Sequence, residues 1–316
     1  QYTIIYSVKI FKQKETLMIY TDWMSYIKDD VKLTQLVIPG SHNAGSYKMP
    51  PLACCQDDTL LTQIIYGVRQ FCLRLNTDKN GNIVIAHGVT NGDRLENALS
   101  DIRKAMDSFP TEIFLLDIRE YYPQKFGPVT LTFNAPKEKV DALLSEYIEP
   151  EKYAFCDFTH IKDVTIGDIR KAGKRYILIN DNEEYAYSKN CEQILPWDKK
   201  LNGSYAADYA KSALSFFESN STDGLFWFQT QLTPNLGTKV GITTPRKLDK
   251  ETRLYFKDMM KAIADNWYYL SCANIIAGDF MTEDYMKCEA ILKLNLLKGN
   301  VKEGKEKEFE EGLLWS

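Results

Sequence analysis

The feature that most constrains the fold is the alternation of two kinds of segment along the chain. Short, apolar, β-branched runs bounded by turn residues predict strands at 33–38, 68–75, 82–87, 112–118, 174–180, 225–232 and 273–280. Between them, apolar residues recur at helical spacing over 95–109, 137–147, 205–218, 249–267 and 282–297. Strands alternating with helices predict a parallel sheet, and a weak strand at 153–158 would bring the strand count close to eight.

We therefore predict an α/β fold, a TIM-type (β/α)8 barrel. A doubly wound open sheet is the alternative, because periodicity alone does not distinguish a closed sheet from an open one. The sequence contains no internal repeat and no long linker, which favours a single domain over 22–297. We expect an N-terminal extension at 1–21 and a charged C-terminal tail at 298–316. Within that tail, 302–311 is expected to be solvated or to form a frayed helix end.

Charge and hydropathy exclude several classes of protein. The 39 Lys and Arg residues nearly balance the 43 Asp and Glu residues, which argues against nucleic-acid binding and against a purely electrostatic hold on anionic lipid. No run approaches the roughly 18 apolar residues of a membrane-spanning helix, so any lipid is contacted from the surface. No signal peptide can be read from Gln1. The compartment stays open, with a secreted or membrane-peripheral location favoured.

Two of the 3 histidines lie at the ends of predicted strands. His42 follows the first strand in a glycine-containing turn, and His87 ends the third strand, just before Gly88. In a parallel barrel the carboxyl ends of the strands meet at one end, where catalytic residues lie. We therefore expect His42 and His87 to lie close together. His160 has no such placement and is interpreted as structural.

Charged residues on neighbouring strands point to the same end of the barrel. Arg74 shares a strand face with Cys72, Asp117 shares one with Arg119, and Asp279 ends the last strand. Two imidazoles can act as general base and general acid, and guanidinium groups match phosphate oxygens, so the set suits phosphodiester cleavage without a metal. Asp279 could orient one imidazole. The alternative for both arginines is simple pairing with Asp117, and Cys72 is most simply a small buried apolar residue.

Five segments, taken in order, carry a family resemblance: Trp23 with 37–46 (VIPGSHNAGS), 63–74 (QIIYGVRQFCLR), 86–88 (AHG), 112–118 (EIFLLDI) and 275–280 (IIAGDF). Over roughly 22–280 they resemble the X domain of phosphatidylinositol-specific phospholipase C, in its small bacterial-like and GPI-cleaving branch. The resemblance implies a distorted TIM-type barrel. It also implies a reaction in which the inositol 2-hydroxyl attacks phosphorus, diacylglycerol leaves and an inositol 1,2-cyclic phosphate forms.

The resemblance also implies roles for individual residues. His42 would be the general base and His87 the general acid, Arg74 would bind the phosphate, and Asp279 would orient His42. The substrate-binding residues would be Asn43, Asp117 and Arg119.

The calcium-dependent branch of the family carries acidic ligands at the positions of Arg74 and Arg119. The two positively charged arginine side chains would repel Ca²⁺. We therefore predict a metal-independent site without a cofactor.

The chain departs from the bacterial pattern at three places. Cys72 replaces the aspartate expected to partner the general-acid histidine, and Asn43 replaces the aspartate beside His42. Loss of a carboxylate should lower the pKa of His87, unless Asp117 compensates from the neighbouring strand. The basic residue that usually grips inositol is also not obvious, because Asn-Asp-Asn stands at 180–182.

Three functional hypotheses remain. The leading one is a monomeric phosphodiesterase of the lyase type that cleaves phosphatidylinositol or a GPI anchor at a membrane surface, with Tyr121, Tyr122 and Trp227 as candidate interfacial aromatics. A glycerophosphodiester phosphodiesterase is suggested by 77–81 (TDKNG) before His87, but the second strand lacks the Glu-x-Asp metal pair of that family. A binding module for inositol phosphate or phospholipid, weakened in catalysis at Cys72, is the third.

Overall fold

The computed structural model describes residues 19–126, 128–180, 182–192, 217, 223–232 and 244–313. Within these ranges the strands are β1 (Ile38–Ser41), β2 (Gln70–Thr77), β3 (Ile83–His87), β4 (Thr90–Arg94), β5 (Phe114–Glu120), β6 (Gln124–Phe126), β7 (Val129–Leu131), β8 (Tyr176–Ile179), β9 (Ser188–Lys189), β10 (Trp227–Gln229) and β11 (Ile275–Gly278). The helices are α1 (Leu60–Ile65), α2 (Leu95–Ser108), α3 (Lys137–Ile148), α4 (Pro150–Tyr153), α5 (Ile166–Lys171), α6 (Pro245–Asp265), α7 (Trp267–Cys272), α8 (Met286–Leu297) and α9 (Glu306–Leu313). Short 3-10 helices cover Trp23–Tyr26 and Ile161–Asp163.

One sheet organises the molecule. Its strands follow the order β10-β11-β1-β2-β5-β8-β9, and all neighbours along this path are parallel. Most residues of these strands are buried on both faces, as expected where helices cover a parallel sheet. This mixed α/β architecture, with its curled parallel sheet, confirms the predicted fold class. In the described part of the chain, β9 and β10 are the two ends of the path.

The third strand departs from the predicted parallel arrangement. β3 pairs with β2 in antiparallel register, Leu75 opposite Ile85 and Thr77 opposite Ile83, and β4 then pairs antiparallel with β3. The reason is local: only the turn at 78–82 connects β2 to β3, which is too short for the crossover that a parallel pair requires. β3 therefore runs back toward the level at which β1 ends.

The predicted strands at 33–38 and 153–158 depart most from the structure. Only Ile38 of the run at 33–38 is in a strand, because the amide of Asn274 donates to the Leu33 and Leu36 carbonyls at 2.8 and 2.7 Å and so satisfies a buried turn. The weak strand at 153–158 is reduced to a single parallel bridge between Ala154 and Tyr176, after α4. The predicted helix at 205–218 lies outside the described residues, apart from Phe217.

The C-terminal segment is more ordered than the solvated tail predicted for 302–311. It contains α9, in which Phe309 and Leu313 recur four residues apart and are both buried. The hydroxyl of Tyr26 donates to Glu308 at 2.7 Å from the other end of the chain. The charged residues of the run occupy the outer face, so an apolar pair within a charged sequence is enough to dock this helix. Among the described helices, none combines the length and the apolar character needed to cross a bilayer.

Candidate active site

His42 lies where β1 ends beside β11. The parallel register pairs Ser41 with Gly278, and the His42 backbone N–H donates to the Gly278 carbonyl at 3.1 Å. The next residue of each segment is then His42 or Asp279, so their side chains meet, with Nδ1 and Oδ1 2.7 Å apart. The structure therefore brings together the imidazole and carboxylate that the sequence placed at the ends of the first and last strands.

Asn43 defines which nitrogen of His42 carries the proton. Its φ of 45° is in the left-handed region, which asparagine tolerates better than most residues. In this conformation its Nδ2 donates to His42 Nε2 at 3.1 Å. Because an amide nitrogen only donates, Nε2 is the acceptor, and Nδ1–H donates to Asp279. His42 therefore presents a basic lone pair on Nε2 with its other nitrogen held by a carboxylate.

A close approach between the loop after β1 and strand β3 brings the second histidine to the first. A Cβ added to Gly45 would lie 2.2 Å from the Cδ1 atom of Ile85, so only glycine permits this contact without displacement. Two residues further along β3, the ring of His87 lies with its centroid 6.4 Å from that of His42, at an interplanar angle of 83°. The two imidazoles are thus neighbours at the ends of β1 and β3, as the sequence predicted.

His87 bonds to a backbone carbonyl through its Nδ1. Nδ1 lies 2.7 Å from the carbonyl oxygen of Ala53, which can only accept, so Nδ1 carries a proton. Burial lowers the pKa of His87, and the Ala53 bond offsets this only in part. A lowered pKa was predicted from the missing carboxylate at position 72, and its direction is confirmed, but burial is the larger cause.

The two arginines share one buried carboxylate. The parallel register of β2 and β5 sets Arg74 opposite Arg119 and Cys72 opposite Asp117. Arg74 Nη1 donates to one Asp117 oxygen at 2.8 Å, and Arg119 Nε donates to the other at 2.7 Å. Burial opposes the charge on Arg74, but Asp117 outweighs it and raises the pKa of the guanidinium. The structure thus contains the pairing of both arginines with Asp117 that the sequence left open as an alternative. A guanidinium has five N–H donors, so this pairing does not prevent either arginine from also binding a phosphate.

Cys72 is buried beside the arginines, and burial raises the pKa of its thiol to about 11. The thiol is therefore neutral near pH 7 and cannot replace a carboxylate there. The simple interpretation of Cys72 as a small buried residue agrees with this environment.

Sequence reasoning missed Gln56, a fully buried amide that joins the two segments carrying His42 and Asp279. Its Nε2 donates to the His42 carbonyl at 2.8 Å and to the Gly278 carbonyl at 3.0 Å. Its Oε1 accepts from the Met281 N–H at 3.1 Å. No local pattern marks a glutamine for this role, because all three partners are backbone groups distant in sequence.

Lys287 and Cys55 were also missed. The ammonium of Lys287, on α8, is buried and donates to the backbone carbonyl of Asp279 at 2.5 Å and to the side chain of Asp249. The sulfur of Cys55 lies 3.8 Å from His87 Nδ1 and 3.8 Å from Asn43 Nδ2. The only hint in the sequence was the adjacent pair Cys54-Cys55, which fits no known metal spacing.

The three aromatic candidates and the third histidine differ in exposure. Tyr121 and Trp227 are buried and pack in the core, which excludes them as interfacial residues, whereas Tyr122 is 60% exposed and stacks on Tyr121 with centroids 4.9 Å apart. His160 is exposed and bonds Glu192 at 3.0 Å, in agreement with a structural role.

Fold and site together define an α/β barrel-type protein with a histidine–aspartate pair, a second histidine and two arginines near its strand ends. Among protein-family models, none matches the chain. Curated relatives are named 1-phosphatidylinositol phosphodiesterase. Those of Staphylococcus aureus strains Newman and NCTC 8325 are each 32% identical over 118 residues, 35% of this chain. The chain spans under two-fifths of these relatives, 38% and 36% of their lengths.

Solved structures match along most of the chain. The phosphatidylinositol-specific phospholipase C from Listeria monocytogenes has a TM-score of 0.63 at 19% identity, covering 87% of this chain and 98% of that protein. A mutant of the phosphatidylinositol-specific phospholipase C from Staphylococcus aureus has a TM-score of 0.65 at 17% identity, covering 88% and 99%. At these identities the likeness shows the fold, a distorted TIM-type barrel. Both comparisons agree with the resemblance that the sequence motifs indicated.

Proposed function

We propose that this protein is a metal-independent phosphodiesterase of the lyase type, which cleaves phosphatidylinositol to diacylglycerol and an inositol 1,2-cyclic phosphate. The observation that carries the proposal is the geometry of two imidazoles, one held by a carboxylate, with ring centroids 6.4 Å apart. The names of the curated relatives, and the shared fold, support the same substrate class.

In the first half of the reaction, His42 acts as the general base. Its Nε2 lone pair takes the proton of the inositol 2-hydroxyl while that oxygen attacks phosphorus. Asp279 accepts from Nδ1–H, so it holds the ring in the reactive tautomer and stabilises the imidazolium that forms. Asn43 yields its hydrogen bond to Nε2 when the hydroxyl arrives and contacts the substrate.

In the second half, protonated His87 gives a proton from Nε2 to the glycerol oxygen as its bond to phosphorus breaks. The Ala53 carbonyl fixes the ring through Nδ1. Arg74 stabilises the charge on the non-bridging phosphate oxygens, and Asp117 orients that guanidinium beforehand. Arg119, held by the same carboxylate, binds the inositol side of the substrate.

The test is a phosphorus NMR measurement on vesicles of phosphatidylinositol with excess chelator. A cyclic phosphodiester should appear, and neither His42→Ala nor His87→Ala should produce it at a comparable rate. His160→Ala is the matched control, because that imidazole is exposed and pairs with Glu192. Unchanged turnover in either active-site variant, or loss of activity with chelator, would refute the mechanism.

The proposal extends to the surroundings of the reaction. The substrate is at a membrane surface, as the free inositol lipid or a GPI anchor, and the monomer is the active form. Assays on phosphatidylinositol vesicles and on a GPI-anchored reporter separate the two substrates, and sedimentation of the active protein tests the monomer. The barrel is proposed to occupy 22–297, with 1–21 and 298–316 outside the catalytic unit.

A second candidate function is a binding module for inositol phosphate or phospholipid. It is favoured by one observation: His87 is buried and its Nδ1 bonds a carbonyl, which leaves its pKa lowered, so a smaller fraction of it is protonated near neutral pH than of an imidazole paired with a carboxylate. Affinity for inositol phosphate without any cyclic product would support it. A glycerophosphodiester phosphodiesterase ranks lower, because Cys72-Leu73-Arg74 offers no carboxylate pair for its metal; activity lost with chelator would revive it.

A further inference from the structure

The sulfur of Cys55 lies within the candidate active site. Cys55 is buried in the turn that follows Ala53, and its backbone N–H donates to the Ser46 hydroxyl at 2.9 Å. Its side chain faces His87 and Asn43, each with a nitrogen 3.8 Å from the sulfur. The thiol of this buried cysteine is thus in contact with two polar nitrogens of the candidate site.

Three potential ligands converge at this point. One ligand atom each from His42, Cys55 and Asp279 lie within 4.8 Å of one another. A tetrahedral zinc ion, with bonds of about 2.0 Å to nitrogen and oxygen and about 2.3 Å to sulfur, holds its ligand atoms roughly 3.3–3.6 Å apart. Shifts of about 1 Å in these side chains are therefore enough to form such a site.

We propose that His42, Cys55 and Asp279 form a binding site for Zn²⁺ that inhibits this protein. A water molecule completes the tetrahedron. On binding, the thiol proton of Cys55 goes to solvent as the zinc–sulfur bond forms, the Nδ1 proton of His42 moves to Nε2 as the zinc–nitrogen bond forms, and no oxidation is involved. The His42 side chain is 23% exposed, which gives the ion a path from solvent to the buried sulfur.

The donor set selects for a soft or borderline metal. Thiolate and imidazole favour zinc and copper, whereas Ca²⁺ and Mg²⁺ require several oxygen ligands. Zinc shared by His42 and Asp279 binds Nδ1, the nitrogen that faces this carboxylate. Inhibition follows because the displaced proton then resides on Nε2, the nitrogen that would otherwise accept the substrate proton. This consequence rests on the function proposed above, but the binding itself does not. The proposed phosphodiester cleavage needs no metal, so inhibition by bound Zn²⁺ is compatible with it.

The first experiment measures binding without substrate, using Co²⁺ as the spectroscopic probe. Wild type should bind Co²⁺ with a sulfur-to-cobalt charge-transfer band, and Zn²⁺ should displace it. Cys55→Ser should lose the band and bind at least tenfold more weakly. Cys54→Ser is the matched control, because the adjacent thiol contacts only the Gln56 carbonyl in the described bonds and should leave the band unchanged. His42→Asn removes a second ligand and should also weaken binding, so the result does not depend on one variant.

The second experiment measures inhibition of phosphatidylinositol cleavage. Zn²⁺ should inhibit wild type and Cys54→Ser, chelator should reverse it, and Ca²⁺ at the same concentration should have no effect. The Zn²⁺ concentration that halves activity should be at least tenfold higher for Cys55→Ser than for wild type. A band that persists in Cys55→Ser or vanishes in Cys54→Ser, or no band in wild type, would overturn the site. Binding without any cleavage activity would instead refute the proposed function and leave the site standing.

Discussion

Gln56 allows the sharpest test of how the site is held together. It makes three hydrogen bonds, of 2.8, 3.0 and 3.1 Å, to the backbone on either side of the histidine–aspartate pair. Leucine has nearly the same shape but makes none of them. At about 1 kcal/mol net for each bond, Gln56→Leu should lower the free energy of unfolding by about 3 kcal/mol. For a chain of this size, that corresponds to a urea midpoint lower by roughly 1 M.

We expect Gln56→Leu to lower activity even under conditions in which the variant is fully folded. Gln56 joins the carbonyl of His42 to that of Gly278, so its loss lets His42 and Asp279 move relative to each other. A misplacement of about 1 Å can cost on the order of 100-fold in rate. We expect kcat for phosphatidylinositol cleavage to fall at least about tenfold, at temperatures where the variant is fully folded, with KM little changed.

Gln63 is the matched control. It is an equally buried amide, and its Nε2 donates to two carbonyls, those of Ala44 and Asp58, at 2.8 Å each. Gln63→Leu should therefore cost about 2 kcal/mol of stability by the same reasoning, but it leaves the link between His42 and Gly278 intact. If Gln56→Leu keeps the wild-type kcat, or if Gln63→Leu loses as much of it, the proposed positioning role of Gln56 is wrong.

Three further outcomes are expected. kcat/KM should fall as pH rises through the pKa of His87, because the proposed general acid must be protonated and burial puts that pKa below its ordinary value of about 6.5; a pH–rate profile whose descending limb lies well above neutrality would contradict this. Cys72→Asp should move the descending limb of the profile to higher pH, by about 1 to 3 units if the new carboxylate reaches the imidazole of His87. An unmoved limb would mean that the new carboxylate pairs with the arginines and not with His87. Arg74→Lys should lower kcat on the order of 100-fold, since an ammonium cannot reproduce the planar fork of a guanidinium on phosphate; wild-type kcat in this variant would exclude Arg74 from stabilising the transition state.

The sequence was most informative where function depends on local pattern. Alternating β-branched runs and helical spacing located the strands and the fold class, because periods of 2 and about 3.6 follow directly from backbone geometry. His42 and Asp279 could be paired from sequence, although 237 residues separate them, since both end strands of one parallel sheet. The expectation that His87 would lie nearby was right, but its reason was incomplete, because β3 returns antiparallel to β2.

What the sequence by itself determined is therefore the class of fold and the residue types that carry the proposed chemistry. Only the tertiary structure decided their partners: the Ala53 carbonyl on His87, the amide of Gln56 on the His42 carbonyl, and the sulfur of Cys55 near His87. The Ala53 and His42 carbonyls in these contacts are backbone groups, which any residue type can supply. The contacts depend on the path of the chain in three dimensions, and no local periodicity encodes that path.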